Sequence, residues 1–135
     1  MTDVPLKLPK KFKNKIIKLE AEISILIPST QGIHEQQQIS MDEMEKRVKD
    51  VRAYFAGLFG GYTSVSAKGG YTLKSGCVIA EDIVMVTAFA DMKQALHLKE
   101  DLLCRLSRWA TEWGQETVGL EWEGDMFLVP GTLMK

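Results

Sequence analysis

Residues 77–90, CVIAEDIVMVTAFA, alternate in a way that leaves no wholly polar face. Ile79, Ile83, Met85 and Phe89 share one parity; Val78, Val84, Val86 and Ala88 share the other. Successive side chains of a strand point to opposite faces. A strand apolar on both sides therefore belongs inside a sheet, with something packed against each face. This is the strictest demand the chain makes, and the remaining segments must be arranged around it.

A second strand is read over residues 19–27, LEAEISILI, where Leu19, Ala21, Ile23, Ile25 and Ile27 alternate with Glu20, Glu22 and Ser24. Pro28 should end it, having no N–H for a ladder. Residues 28–39, PSTQGIHEQQQI, read as a polar loop long enough to carry a function. Ser40 and Glu43 form a capping-box pattern. After them Met41, Met44, Val48, Val51, Phe55 and Leu58 recur three and four apart, the stripe of an amphipathic helix. Gly60 and Gly61 should stop it. Residues 62–73 alternate again and return through Lys74-Ser75-Gly76 into the apolar strand, as a hairpin.

Asp91, with Gln94 in the capping-box position, predicts a second helix whose buried stripe is Leu102, Leu106, Trp109, Ala110 and Trp113, closed by Gly114. Residues 116–123 give a further strand, with Glu123-Gly124-Asp125 turning into a short last one, MFLV. The order β-α-β-β-α-β plus a short fifth strand predicts an α+β, ferredoxin-like split βαβ fold. It would have an antiparallel sheet with two helices on one face.

Helices on one face leave the other bare. We expect Val84, Val86 and Ala88 to look out on that bare side, and a second copy of the chain to cover it, making a homodimer or higher homo-oligomer. The alternative is that the N-terminal arm or the last strand folds across it. At 135 residues, 45% apolar and 26% charged, the chain suits one domain. We place it at 19–135, after a basic, partly disordered arm at 1–18. Lys7, Lys10, Lys11, Lys13, Lys15 and Lys18 of that arm could touch phosphates, so nucleic acid stays open through the arm alone. The net charge of −1 gives no global pull toward nucleic acid or membrane. Cys77 and Cys104 show no CxxC spacing, and no apolar run is long enough for a membrane helix. No apolar h-region follows the lysines. We expect the cytoplasm, or the host cytoplasm for a phage-encoded protein.

The split βαβ topology collects the first strand–helix loop, the tip of the hairpin and the link after the second helix along one rim. That rim gathers Ser29, Thr30 and His34, then Lys68 and Tyr71, then Gln115 and Glu116, our candidate ligand-binding residues. The start of the first helix lies there too and would favour an anion. Gly69-Gly70, within the hairpin's first strand, suggests a bulge or a close backbone approach. Glu81 and Asp82 are adjacent on a strand and so face opposite sides. No metal-ligand spacing and no nucleophile-elbow glycine pattern occurs, and nothing calls for a cofactor.

Pro28-Ser29-Thr30, Phe59-Gly60-Gly61, Thr63, Glu81 and Gln115-Glu116 occur in an order that resembles a group of small uncharacterised proteins of bacterial, plasmid and phage genomes. The resemblance spans residues 22–128 and implies a mobile-element context without supplying an activity. These features together favour a non-enzymatic binding module for a small anionic, nucleotide-like ligand or a partner protein. The alternatives are a small-molecule enzyme using His34, Glu81 or Glu116 as acid or base, and a nucleic-acid-binding accessory protein.

Overall fold

The computed structural model describes residues 6–33, 35–72 and 75–134. After a single exposed 3-10 turn at Lys10–Phe12, the elements are β1 (Ala21–Pro28), β2 (Thr30–Gln31), β3 (Gln37–Gln38) and α1 (Met41–Phe59). Then come β4 (Thr63–Thr72), β5 (Val78–Ala90), α2 (Met92–Glu112), β6 (Thr117–Trp122) and β7 (Asp125–Pro130). Five strands form one sheet in the order β4-β5-β1-β6-β7, and every neighbouring pair is antiparallel. β5 lies between β1 and β4, and β1 between β5 and β6. The two βαβ units therefore interlock, as the α+β split βαβ reading requires.

One face of the sheet is the core. Ala21, Ile23, Ile25 and Ile27 of β1 are fully buried there with Val86, Ala88, Val118 and Leu120. Against them lie Val48, Val51 and Phe55 of α1 and Leu102, Leu106, Trp109 and Trp113 of α2. α1 packs over β5 and β1, and α2 over β6 and β7. Tyr54 ties the helices together by donating its hydroxyl to Asp101. Burial first, and then this bond, push the phenol well above the ordinary tyrosine range.

The bare face is the opposite of the one expected. Val86 and Ala88 lie under the helices, because the β1–β5 register pairs them with Ile25 and Ile23. It is Ile79, Glu81, Ile83, Met85 and Phe89 that look out. Rows read across the register show the character of that face. One row runs Val65, Met85, Leu26, Gly119, Leu128; the next runs Ala67, Ile83, Pro28. On one flank, Ser24 and Thr87 satisfy each other at 2.7 Å. The last strand does not fold across this face: β7 extends the sheet beside β6.

Local corrections follow from the same geometry. β1 carries on through Pro28, and the polar loop after it holds the small β2–β3 ribbon. Gly69 and Gly70 pair in unbroken register with Glu81 and Ala80, so there is no bulge. Met41 is exposed, and the α1 stripe instead includes a buried Arg47. Leu73 and Lys74 of the expected hairpin lie outside the described residues.

The helix starts differ. Ser40 Oγ accepts the Glu43 N–H at 3.1 Å, as its pattern predicted. Asp91 makes no side-chain cap bond. The Met92 N–H goes instead to the Glu20 carboxylate at 3.2 Å, and Gln94 donates to the Leu58 carbonyl at 2.8 Å. The α1 end matches expectation, with Gly60 left-handed at φ 82°. Ser40→Ala should therefore cost about 1 kcal/mol in urea unfolding. Asp91→Ala should cost clearly less, because no cap bond is lost.

Candidate functional site

The rim is assembled from the segment following β1. Ser29 closes the β2–β3 ribbon by accepting the Ile39 N–H at 3.0 Å. Gly32 makes the ribbon's turn at φ 105°, where a Cβ would stand only 2.3 Å from the Glu35 carbonyl oxygen. Its N–H then reaches the Gly114 carbonyl at 2.9 Å. Gly114 is itself left-handed at φ 62°, and a Cβ there would press on Gly32 N at 3.3 Å. The loop thus docks backbone-to-backbone on the end of α2, through two glycines.

Arg47 completes this docking from below. The residue is 1% exposed. Its Nε donates to Glu43 Oε2 at 3.0 Å, one turn earlier on α1. One Nη1 reaches the carbonyls of Pro28 at 2.8 Å and Thr30 at 2.9 Å, while Nη2 reaches that of Trp113 at 3.2 Å. The guanidinium also lies 5.5 Å from the Trp113 ring centroid. Burying a charge is costly unless it is paired and hydrogen-bonded, and the planar fork of arginine suits several fixed acceptors at once. Gln115 Nε2 adds a second donor to the Thr30 carbonyl at 2.6 Å.

With its backbone held, Thr30 turns its hydroxyl toward β5. Oγ1 donates to Glu81 Oε2 at 3.0 Å, with Gln36 Oε1 a more distant acceptor at 3.3 Å. One hydroxyl carries one proton, and the shorter bond to a carboxylate is the stronger. Glu81 pairs in register with Gly69 and sits one row beyond Pro28, at the polar end of the apolar bare face. Two hollows meet at its side chain. One, of about 340 Å³, is lined by Leu26, Ile83, Gly69, Gln115, Gly119 and Met126 among others. The other, of about 280 Å³, is lined by Thr30, Gln38, Lys68 and Asp82.

Of the sequence-predicted residues, the structure brings Thr30, Lys68 and Gln115 around Glu81. Lys68 is exposed and ion-paired to Asp82. Asp82 is on the opposite parity from Glu81, as the adjacent-carboxylate argument required. Ser29 is buried, and its hydroxyl finds no partner among the described residues. Glu116 is exposed, lines neither hollow, and takes part through its carbonyl, which accepts the Gly131 N–H. Tyr71 is placed by its backbone pairing with Ile79. His34 lies outside the described residues. No group of three or more metal-ligating side chains occurs among the described residues.

Sequence reasoning weighed Glu81 as an acid or base but left it off the rim, and it missed Arg47. Both carried a signal. Glu81 is the one carboxylate in the Ile79–Phe89 parity set, and Arg47 falls between Met44 and Val51 at core spacing.

No family model matches the chain, and no curated protein does either. Two solved structures share its fold. One is a phage SAM lyase in complex with S-methyl-5'-thioadenosine, 16% identical with a TM-score of 0.57. The other is a phage SAM lyase in the apo state, 17% identical with a TM-score of 0.52. Each match covers 85% of this chain and 92% of the other. No helix is long and apolar enough to cross a membrane among the described residues.

Each buried carbonyl left without a donor costs about 1–3 kcal/mol. Arg47→Ala removes a donor from each of the carbonyls of Pro28, Thr30 and Trp113, so it should lower stability by about 2 kcal/mol or more, read by urea unfolding.

Proposed function

We propose that this chain binds a nucleoside sulfonium of the S-adenosylmethionine type at Glu81 and cleaves it, releasing S-methyl-5'-thioadenosine. One observation carries the reading. In a fold shared with a phage SAM lyase, a single carboxylate is held by a threonine hydroxyl beside a hollow lined mostly by apolar residues and glycines, with Gln36, Gln115 and Thr117 among them.

The charge pattern moves the ligand away from the anion expected from the sequence. Glu81 and Asp82 both line the 280 Å³ hollow, and Lys68 there is already paired. A sulfonium amino acid brings positive charge at sulfur and at its ammonium, which complement Glu81. Its nucleoside brings a flat apolar surface, suited to Leu26, Ile83 and Met126.

The chemistry asks little of the protein beyond placement. When the bond from sulfur to the amino-acid chain breaks, its electron pair returns to sulfur, and a neutral thioether leaves without needing a proton. A lyase step adds no water. Either the substrate's own carboxylate oxygen closes on the carbon that sulfur leaves, or a base removes a proton from the adjacent carbon as a double bond forms. Glu81 serves as counter-charge for the ammonium in the first course and as base in the second.

The bare face supports a second element of the proposal. Val65, Met126 and Leu128 are 55%, 49% and 66% exposed on it. We place a second copy of the chain there, over the mouth of the hollow that Met126 and Leu128 help to line.

Purified protein incubated with S-adenosylmethionine should form S-methyl-5'-thioadenosine, followed by liquid chromatography and mass spectrometry. A lactone or an unsaturated amino acid as co-product distinguishes the two courses. Glu81→Gln should slow product formation by about 100-fold or more. A folded wild type that makes no thioether sinks the cleavage reading. Binding of S-methyl-5'-thioadenosine in calorimetry, without turnover, would then favour a binding module. In native mass spectrometry the assembly should weigh a multiple of 15.2 kDa; a single-chain mass at micromolar concentration would remove the second copy.

A further inference from the structure

We infer that Arg47, which contacts neither hollow, is the positioning residue for Glu81 and acts on it through Thr30. The inference rests on the reading of Glu81 as the site's carboxylate. Its steps are all hydrogen bonds. Arg47 and Gln115 both donate to the Thr30 carbonyl, and the Thr30 hydroxyl donates to Glu81 Oε2.

The same guanidinium holds Pro28, the last residue of β1, and Trp113, the C-cap of α2. It therefore fixes Thr30 relative to both the sheet and the second helix. Glu43 orients the guanidinium from one turn away. Glu81 is on β5, 51 residues from Thr30 along the chain. Among the described residues, it is the Thr30 hydroxyl that donates to its carboxylate. A loose Thr30 leaves the carboxylate free to rotate, and displacement of a reacting group by about 1 Å costs on the order of 100-fold in rate.

The fork geometry matters more than the charge. A lysine ammonium at position 47 keeps the charge but cannot span three carbonyls held at fixed angles. Arg47→Lys should therefore lower kcat for S-adenosylmethionine cleavage by about 10- to 100-fold, with KM changed less than about threefold. Thr30→Val should do the same. If Arg47 acts through Thr30, then Arg47→Lys should add less than about twofold in the Thr30→Val background. A folded Arg47→Lys with unchanged kcat, or with its full effect retained in that background, would overturn the inference.

A wild type without turnover would sink the cleavage reading separately. The inference is then read from the Glu81 side-chain carboxyl resonance by carbon-13 NMR. Arg47→Lys and Thr30→Val should move that resonance in the same direction, and the double variant no further than Thr30→Val alone. An unmoved resonance in folded Arg47→Lys overturns it. Should Arg47→Lys fail to fold, Glu43→Ala takes its place, releasing the guanidinium from its orienting carboxylate. Unchanged kcat together with an unmoved resonance in that variant would overturn the inference equally.

Discussion

One buried guanidinium joins the three parts that make the rim. Arg47 reaches backbone carbonyls at the end of β1, in the β2–β3 ribbon and at the end of α2. Two of these acceptors lie where a regular element ends, Pro28 at the close of β1 and Trp113 at the C-cap of α2, and the third, Thr30, opens the ribbon. A helix leaves its last carbonyls unpaired, and a strand that stops before a turn does likewise. A charged fork placed among them converts three loose ends into one fixed junction. That junction lets a polar loop lie against the core with its backbone polar groups paired.

The sheet explains why the junction sits where it does. Its bare face is apolar along the two middle rows and polar beyond them, with Ser24 and Thr87 on one flank and Glu81 on the other. Gly119 lies in the apolar field opposite Leu26, where a Cβ would touch Met126 Sδ at 3.4 Å and Leu26 Cβ at 3.5 Å. Its missing side chain, together with that of Gly69 at the other side, leaves the depression open. A carboxylate next to such a depression is less screened than one facing bulk water. It therefore discriminates more sharply between ligands of opposite charge.

The fold was largely legible from periodicity, since the parity of β1 and β5 and the stripes of α1 and α2 follow from burial alone. Which face of β5 is covered was not legible. Both parities are apolar over Ile83–Met85, and only the pairing with Ile23 and Ile25 resolves them. The Asp91 cap failed because Glu20, distant in sequence, supplies the acceptor for Met92. At the rim, Thr30, Lys68 and Gln115 all line hollows that Glu81 shares. Arg47 was hidden because a charge at core spacing in a helix reads as a surface residue until its carbonyl acceptors, separated by up to 66 residues, are known.

The contact between Gly32 and Gly114 makes α2 a ruler for the rim. Adding one residue to that helix would advance its end by about 1.5 Å and rotate it by roughly 100°. The carbonyls of Trp113 and Gly114 would then swing away from the loop they anchor. Relatives of this chain should therefore differ in length at the arm or the hairpin tip, while the span from Met92 to Gly114 keeps its count.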